Sequence, residues 1–547
     1  MPSSKGFGSI QVGEAPSTPL HTSAVLWDRQ TGAERVRGRW MTVYRNRPRT
    51  LSSMRESVSH LDSDLPALAQ SGVHLDRGGL DLAVRTCGQM LLQLGIASGD
   101  KVGLFAANTL EWIISFWGLV EIGAIPVLMN GWWNEAEAIH AVEVANLRAV
   151  IADDRRAYLV PTGVPVVPIA AVRAANHAEV TGPPPTAMHL NADEDSTGVV
   201  LFTSGTTGLP KAVLLPHRAI VARQQSAMDI AGRLPVDPKA AYQRIQLLSA
   251  PLFHIGPLQQ MITSWLTGSK LVLLEGRFDA AEVLRLIEEE GISTWSAVPT
   301  MVVRLLGHPD LQRRDLSSLR SISVGGARVP EDLRKRIADD LPGVGTHVAV
   351  GYGLTEAAGT VSAPRSPSTS AEGSCGEPLP TVQVRIAGTS AELPGEILVG
   401  GPTLMLGYAG PNDQPIDNDG WLHTGDIGAF DSGGHLRVTD RAKDIIIRGG
   451  ENVAAANVES VLNRHPDVVE SAVISLPHPD LGEEVCAVVV LRFGSRITDE
   501  ELAHFATSRL ARFEIPSKWW IRTDPLPVNT AAKVDKRILR SEWSDIA

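Results

Sequence analysis

Apolar residues along the first two thirds of the chain fall into two alternating rhythms. Leu80 to Leu94 repeats at helical spacing, whereas Lys101 to Phe105 and Ala149 to Ala152 are short strand-like runs. The alternation resumes further on. Val199 to Phe202, Lys270 to Leu274, Thr294 to Val298 and Ser321 to Val324 read as strands, with Ala280 to Glu290 as a helix among them. Strands alternating with helices at this spacing predict a mainly parallel, helix-covered sheet. Ile113 to Met129 resembles a membrane span, but Glu121 and Pro126 interrupt it and its character changes near Gly123. It predicts a buried helix followed by a strand. After Ala363 the texture turns to short strands between Gly/Pro turns, such as Gly395 to Gly400, with a hairpin turning at Asp431 to Gly434. Asp440 to Ala547 carries apolar strands of its own, including Val485 to Leu491, and has the size of a small separate domain.

Ahead of these rhythms, residues 1–66 read as an irregular leader. Its basic patch, Arg45, Arg47 and Arg49, predicts a solvated segment wrapping the first domain. Met1 to Pro19 lacks the apolar centre of a signal peptide. Of the 547 residues, 43% are hydrophobic and 20% charged, so several domain-sized units with a large core are expected. The net charge of −11 is spread along the chain without a Lys/Arg run, which disfavours a nucleic-acid partner. Cys87, Cys375 and Cys486 lie far apart without metal spacing, as in a reducing compartment. A soluble cytoplasmic protein, not integral to a membrane, is the expectation.

The strongest local signal is Leu201-Phe-Thr-Ser-Gly-Thr-Thr-Gly-Leu-Pro-Lys211. An apolar strand enters a loop where hydroxyl residues alternate with glycines, and a lysine follows. Glycines let backbone N–H groups approach phosphate oxygens, and hydroxyls add donors. The lysine does not directly follow the second glycine, so this is not a Walker A loop.

This string resembles the adenylate-forming superfamily: acyl-CoA synthetases, luciferases and the adenylation domains of peptide synthetases. The resemblance recurs in order. Gly351-Tyr-Gly-Leu-Thr-Glu356 is similar to the second signature and Gly420-Trp-Leu-His-Thr-Gly-Asp426 to the third. The run from Asp440 to Val453 resembles the hinge and the start of the small domain. Leu526-Pro-Val-Asn-Thr-Ala-Ala-Lys533-Val-Asp-Lys536 resembles the closing lysine motif. Five ordered matches span about Val73 to Leu539.

The resemblance implies an α/β architecture: a large N-terminal body of layered α/β sheets plus a β-rich subdomain at 67–439, a hinge at 440–443, and a small mobile α+β lid at 444–547. It also implies roles. Thr203, Ser204, Gly205, Thr206, Thr207, Gly208 and Lys211 would hold the phosphates of ATP, with Glu356 and Thr206 on Mg²⁺. Thr355 would donate to the α-phosphate. Tyr352 would face adenine, opposite Gly325, Gly326 and Ala327. Asp426 would take the ribose hydroxyls, assisted by Arg441. Lys533 would bridge carboxylate and phosphate, Lys443 would be the pivot, and Gly449 and Gly450 would meet coenzyme A. His254 would border the acid or pack in the core. Trp132 and Trp133 would border the acid or, as expected for both, pack in the core. Two departures stand out: Ala532 where the family carries Gly, and Ala454 to Ala456 where it carries an aromatic or Ile and then Pro.

The carboxylate must attack the α-phosphate against anion repulsion, so cations and oriented donors carry the catalysis. The reading is a fatty- or aromatic-acid ligase forming an acyl-adenylate and then a coenzyme A thioester. An amine or a carrier protein is the alternative acceptor. Luciferase-type chemistry is disfavoured, because the lysine it uses would fall at Ile447. A non-catalytic nucleotide-binding regulator is disfavoured by the presence of Glu356, Asp426, Arg441 and Lys533. The acid pocket is expected between Leu252 to Trp265, Ser321 to Gly325 and Gly353 to Val361, with Gly256, Gly325 and Ala358 leaving room for a bulky or ring-bearing acid. Monomer and homodimer both stay open.

Overall fold

The computed structural model describes residues 27–175, 193–203, 209–234, 243–325, 329, 331–345, 348–365, 373–388, 393–410, 414–441, 444–449, 451–529 and 533–544. Two seven-stranded sheets form the body. In the first, Lys101–Phe105 lies between Ile125–Leu128 and Ala149–Ala152 with parallel pairing, and Thr197–Thr203 joins beside Ile125–Leu128. In the second, Ile245–Leu248, Lys270–Leu273, Thr294–Ala297 and Ser321–Val324 run parallel. The predicted parallel sheets are present, with antiparallel strands added at their edges.

Local chemistry sets the element ends. Thr109 caps helix Leu110–Glu121 by accepting from Trp112 N–H, and Asn134 forms a reciprocal capping box with Glu137. Gly268 and Gly291 close helices Ile255–Thr267 and Ala280–Glu290 in the left-handed conformation. The stretch that resembled a span is the fully buried helix Leu110–Glu121 followed by strand Ile125–Leu128. Its Glu121 carboxylate is paired with Arg55 inside the core. Among the described residues no helix is long and apolar enough to cross a membrane.

The leader is not irregular where it is described. Thr31–Val36 and Arg39–Tyr44 pair as a hairpin, and Leu51–Glu56 is a helix with Leu51 and Met54 fully buried. Nor is its basic patch simply solvated. Arg47 is 4% exposed and bonds Glu34 and Glu194, and Arg49 reaches Glu194 as well. Arg45 and Arg49 are exposed as expected; Arg47 departs from the expectation because its partner Glu194 is remote in sequence.

A four-stranded antiparallel sheet follows, Gln383–Ile386, Gly395–Gly400, Leu422–Phe430 and Leu436–Arg441. The hairpin at 431–434 is formed as predicted, Phe430 opposing Leu436. The C-terminal part builds cores of its own on both faces of the long antiparallel pair Val468–His478 and Gly482–Leu491.

Candidate active site

The strand Thr197–Thr203 turns back into Lys211–Pro216, and Thr203 pairs with Lys211 across the mouth of the Gly/Thr loop. That register holds the loop's two ends together and aims them the same way. Lys211 Nζ sits 5.1 Å above the Tyr408 ring, and the Tyr408 hydroxyl donates to Glu356 Oε1 at 2.8 Å. Strand Gly407–Tyr408 is itself paired to Val213 and Leu214, so the phosphate-loop hairpin carries the tyrosine. Burial, and then the Glu356 charge, push the Tyr408 phenol well above its usual pKa; it stays a donor.

Glu356 and Thr355 belong to a single 3₁₀ turn, Thr355–Ala357, closed by Ala358 at φ +55 with its N–H donating to Thr355 O. Before this turn, strand Tyr352–Leu354 folds against Gly359–Ala363. Gly353 has no alternative there, since a Cβ would approach Gly359 O to 2.3 Å. At the other end of the segment, the Tyr352 hydroxyl donates to Asp426 Oδ2 at 2.6 Å. Arg441 Nε pairs with Asp426 Oδ1 at 2.9 Å, the two residues facing each other in the Leu422–Phe430/Leu436–Arg441 ladder. Asp426 is 4% exposed, whereas the Arg441 side chain is half exposed. Burial and the Asp426 charge raise the Tyr352 phenol pKa strongly. One six-residue segment thus ties an acidic clamp at one end to a lysine-backed carboxylate at the other.

Gly325 ends strand Ser321–Val324, its N–H donating to Ala297 O. A Cβ on Gly325 or Gly256 would meet no described atom within 4 Å. His254 precedes helix Ile255–Thr267 with its ring 4.6 Å from the Phe253 ring. Trp133 is in the core against Phe105 and Phe202, as expected. Trp132 is not: it is 43% exposed and packs edge-on to Phe253.

In the C-terminal part, Asn529 brackets the loop that ends at Lys533. Its N–H donates to Lys533 O at 2.7 Å and its Oδ1 accepts from Lys533 N–H at 3.1 Å. Gly449, at φ +63, turns strand Ile445–Arg448 back into Glu451–Ala454 and donates to Leu481 O. Ile447 is 56% exposed on that strand. Ser204, Gly205, Thr206, Thr207, Gly208, Gly326, Ala327, Lys443, Gly450 and Ala532 lie outside the described residues.

Three participants escaped the sequence reading. Tyr408 and Asn529 were missed, and so was Glu396, which bonds His423 and accepts from Gly425 N–H. Asn529 lies inside the quoted lysine motif and was within reach. Tyr408 and Glu396 gain their meaning only from strand pairing.

The AMP-binding enzyme family matches residues 55–409, and the AMP-binding enzyme C-terminal domain matches residues 457–533. A feruloyl-CoA synthase from an Amycolatopsis species is 33% identical over 494 residues, 87% of this chain and 96% of that protein. The amide bond synthetase of Marinactinospora thermotolerans has a TM-score of 0.76 at 30% identity, covering 90% of this chain and 99% of its own. The o-succinylbenzoate CoA synthetase of Bacillus subtilis, solved with its acyl-adenylate intermediate, has a TM-score of 0.75 at 27% identity and covers 89% and 97%. It has also been solved with ATP and a magnesium ion.

Proposed function

This chain belongs to the AMP-binding enzyme family, and from that membership we propose that it is an AMP-forming acid–thiol ligase. It joins a carboxylic acid to ATP as an acyl-adenylate, releases pyrophosphate, and passes the acyl group to coenzyme A. The observation that carries this reading is the joining of Asp426–Tyr352 and Glu356–Tyr408–Lys211 through one segment. A nucleoside triphosphate needs both: acceptors for sugar hydroxyls at one end, and cations with a metal-binding carboxylate at the other.

Asp426, with Arg441, receives the ribose hydroxyls, and Tyr352 lies against the base. Thr203, Lys211 and the loop between them hold the leaving phosphates. Thr355 donates to the α-phosphate. The donor set fits magnesium, for Glu356 is a lone carboxylate and no cluster of three His, Cys, Asp or Glu side chains occurs among the described residues. Mg²⁺ favours one or two carboxylates plus phosphate oxygens. When bound to Glu356 and Thr206, the ion supplies neutralising charge to the phosphates. Lys533 brings the last cation to the carboxylate and α-phosphate, positioned by Asn529. The two family matches leave 440–443 between them, which suits a hinge there. All assigned residues belong to one chain, so the reading does not require a homodimer. Three free cysteines and the use of ATP suit a cytoplasmic location.

The test is pyrophosphate release with ATP, Mg²⁺ and a panel of aliphatic, aromatic and polycyclic acids, with and without coenzyme A. Lys533→Ala should lower adenylation by about 10²–10³-fold while leaving thioester formation from a supplied acyl-adenylate. Release by the variant at the wild-type rate would refute the assignment. One observation favours a second acceptor. Ala454 to Ala456 replace the family's usual residues beside the thiol face, and an amide bond synthetase is 30% identical. Pyrophosphate release without thioester, restored to turnover by an amine, would select that reading.

A further inference from the structure

One deeply set charge takes no part in the site described above. Arg223 lies on helix His217–Ile230 where that helix meets Ile255–Thr267 and strand Gly359–Ala363. Its Nη1 donates to Gln224 Oε1 at 2.6 Å and more loosely to Gln259 Oε1 at 3.4 Å, and its Nη2 donates to Thr360 Oγ1 at 2.8 Å. All three acceptors are neutral. The Nε–H is buried and has no acceptor among the described residues. Burial lowers the pKa to about 10 with no carboxylate opposing it, so the group is charged at neutral pH.

Four other arginines, each no more than 6% exposed, are enclosed more fully, although the Arg55 Nε–H also lacks an acceptor among the described residues. Arg47, Arg55 and Arg218 each meet carboxylates, and Arg77 is closed off by two backbone carbonyls and the Trp265 ring. An unopposed buried charge is strongly unfavourable, and its persistence calls for a counter-group that arrives later.

Its position says what arrives. Gln259 and Thr360 come from two of the segments expected to wall the acid pocket, and Gln259 Nε2 ties those segments together by donating to Ala358 O at 3.0 Å. Gly359, at φ +107, puts bare backbone beside the guanidinium: a Cβ there would sit in van der Waals contact with three side chains, 3.6 Å from Arg223 Nε, 3.4 Å from Ile255 Cγ1 and 3.7 Å from Gln259 Cγ. Despite its depth, Arg223 keeps part of its surface accessible. Gln224 and Thr360 hold the planar head in a fixed orientation, which suits two-point recognition of oxygen.

We propose that Arg223 selects the acid: the natural substrate carries a second oxygen acceptor, a carboxylate or a carbonyl, remote from the carboxyl that is adenylated. This rests on the ligase reading and narrows it to dicarboxylic or oxo-acids.

The test compares pyrophosphate release for matched acids ending in methyl, ketone or carboxylate, over a range of chain lengths and with a ring in the chain. The wild-type enzyme should favour a ketone or carboxylate member by about 10- to 100-fold in kcat/KM, the discrimination expected of a buried polar group left unpaired by the plain acid. Arg223→Met should collapse that ratio towards one, and Arg223→Lys should retain part of it for the carboxylate. Release with plain acids but no preference among the matched sets overturns the proposal and leaves the ligase reading standing. An unchanged ratio in Arg223→Met also overturns it. No release with any acid removes both. The wild-type comparison decides even where a variant fails to fold.

Discussion

Asp426 and Arg223 are both charged and deeply set in the same large domain, yet the protein surrounds them in opposite ways. Asp426 meets a tyrosine hydroxyl on one oxygen and an arginine on the other. Among the described residues, Arg223 meets only neutral oxygens and leaves one N–H without an acceptor. The first arrangement is complete before a ligand arrives, as befits a nucleotide that is always the same. The second is incomplete, and its energy depends on what enters. The difference separates a generic half of the site from a selective half.

The sharpest way to break that comparison is through stability. Asp426→Asn strips the counter-charge from Arg441 and weakens the Tyr352 bond. Because Arg441 is half exposed, the expected loss is about 1–2 kcal/mol, with KM for ATP rising about tenfold. Arg223→Met removes an unopposed charge, so unfolding free energy should stay level or rise by about 1 kcal/mol. Denaturant unfolding of both variants checks this. If both lose stability equally, Arg223 is as well satisfied as Asp426 and the contrast fails.

The same contrast explains what was legible in the sequence. Strands such as Lys101–Phe105, a short apolar run, and Ser321–Val324, an apolar/polar alternation, announce themselves because they are too short for a helix and alternate with helical segments. The Gly351–Glu356 motif is legible for a steric reason visible at Gly353, where no larger residue fits. By contrast, Arg47 finds Glu194 across 147 residues, and nothing near it signals burial. Arg223 on a mixed helix reads as a surface charge. Tyr408 is an aromatic between Gly407 and Ala409 until strand pairing brings it to Glu356. Contacts made by recurrent local geometry were readable. Contacts made by tertiary closure, including those that choose the acid, were not.

A smaller effect probes the generic half. Tyr408→Phe keeps the ring under Lys211 but deletes the hydrogen bond to Glu356. A bond to a charged acceptor is worth about 1.5–3 kcal/mol, and water recovers part of it because Glu356 is only half-buried. Adenylation kcat/KM should fall about fivefold, within the range such a partly replaced bond allows. The fall should come with a weaker apparent affinity for Mg²⁺ and an unchanged preference among acids. A changed acid preference would mean that the two halves are not separable.

The smallest effect lies at the rim of the clamp. His423 Nδ1 is 2.9 Å from Glu396 Oε2, and Nε2 is 3.4 Å from Asp417 Oδ2. The hydrogen bond to Glu396, then its charge and the contact with Asp417, outweigh slight desolvation and raise the His423 pKa above its ordinary 6.5. A raised folded-state pKa means that folding favours the protonated ring. The stabilisation is therefore fully present below pH 6.5 and disappears as pH rises through the folded value. It also weakens in strong acid, where the Asp417 carboxylate is protonated. His423→Gln should lower Tm slightly between those limits and leave it unchanged at alkaline pH. The side chain is 45% exposed, so solvent and salt screen the interaction. Raising ionic strength should shrink the difference further. A Tm difference that grows with pH would reverse the sign of the coupling, and would mean that the rim of the clamp is held by packing, with its charges incidental.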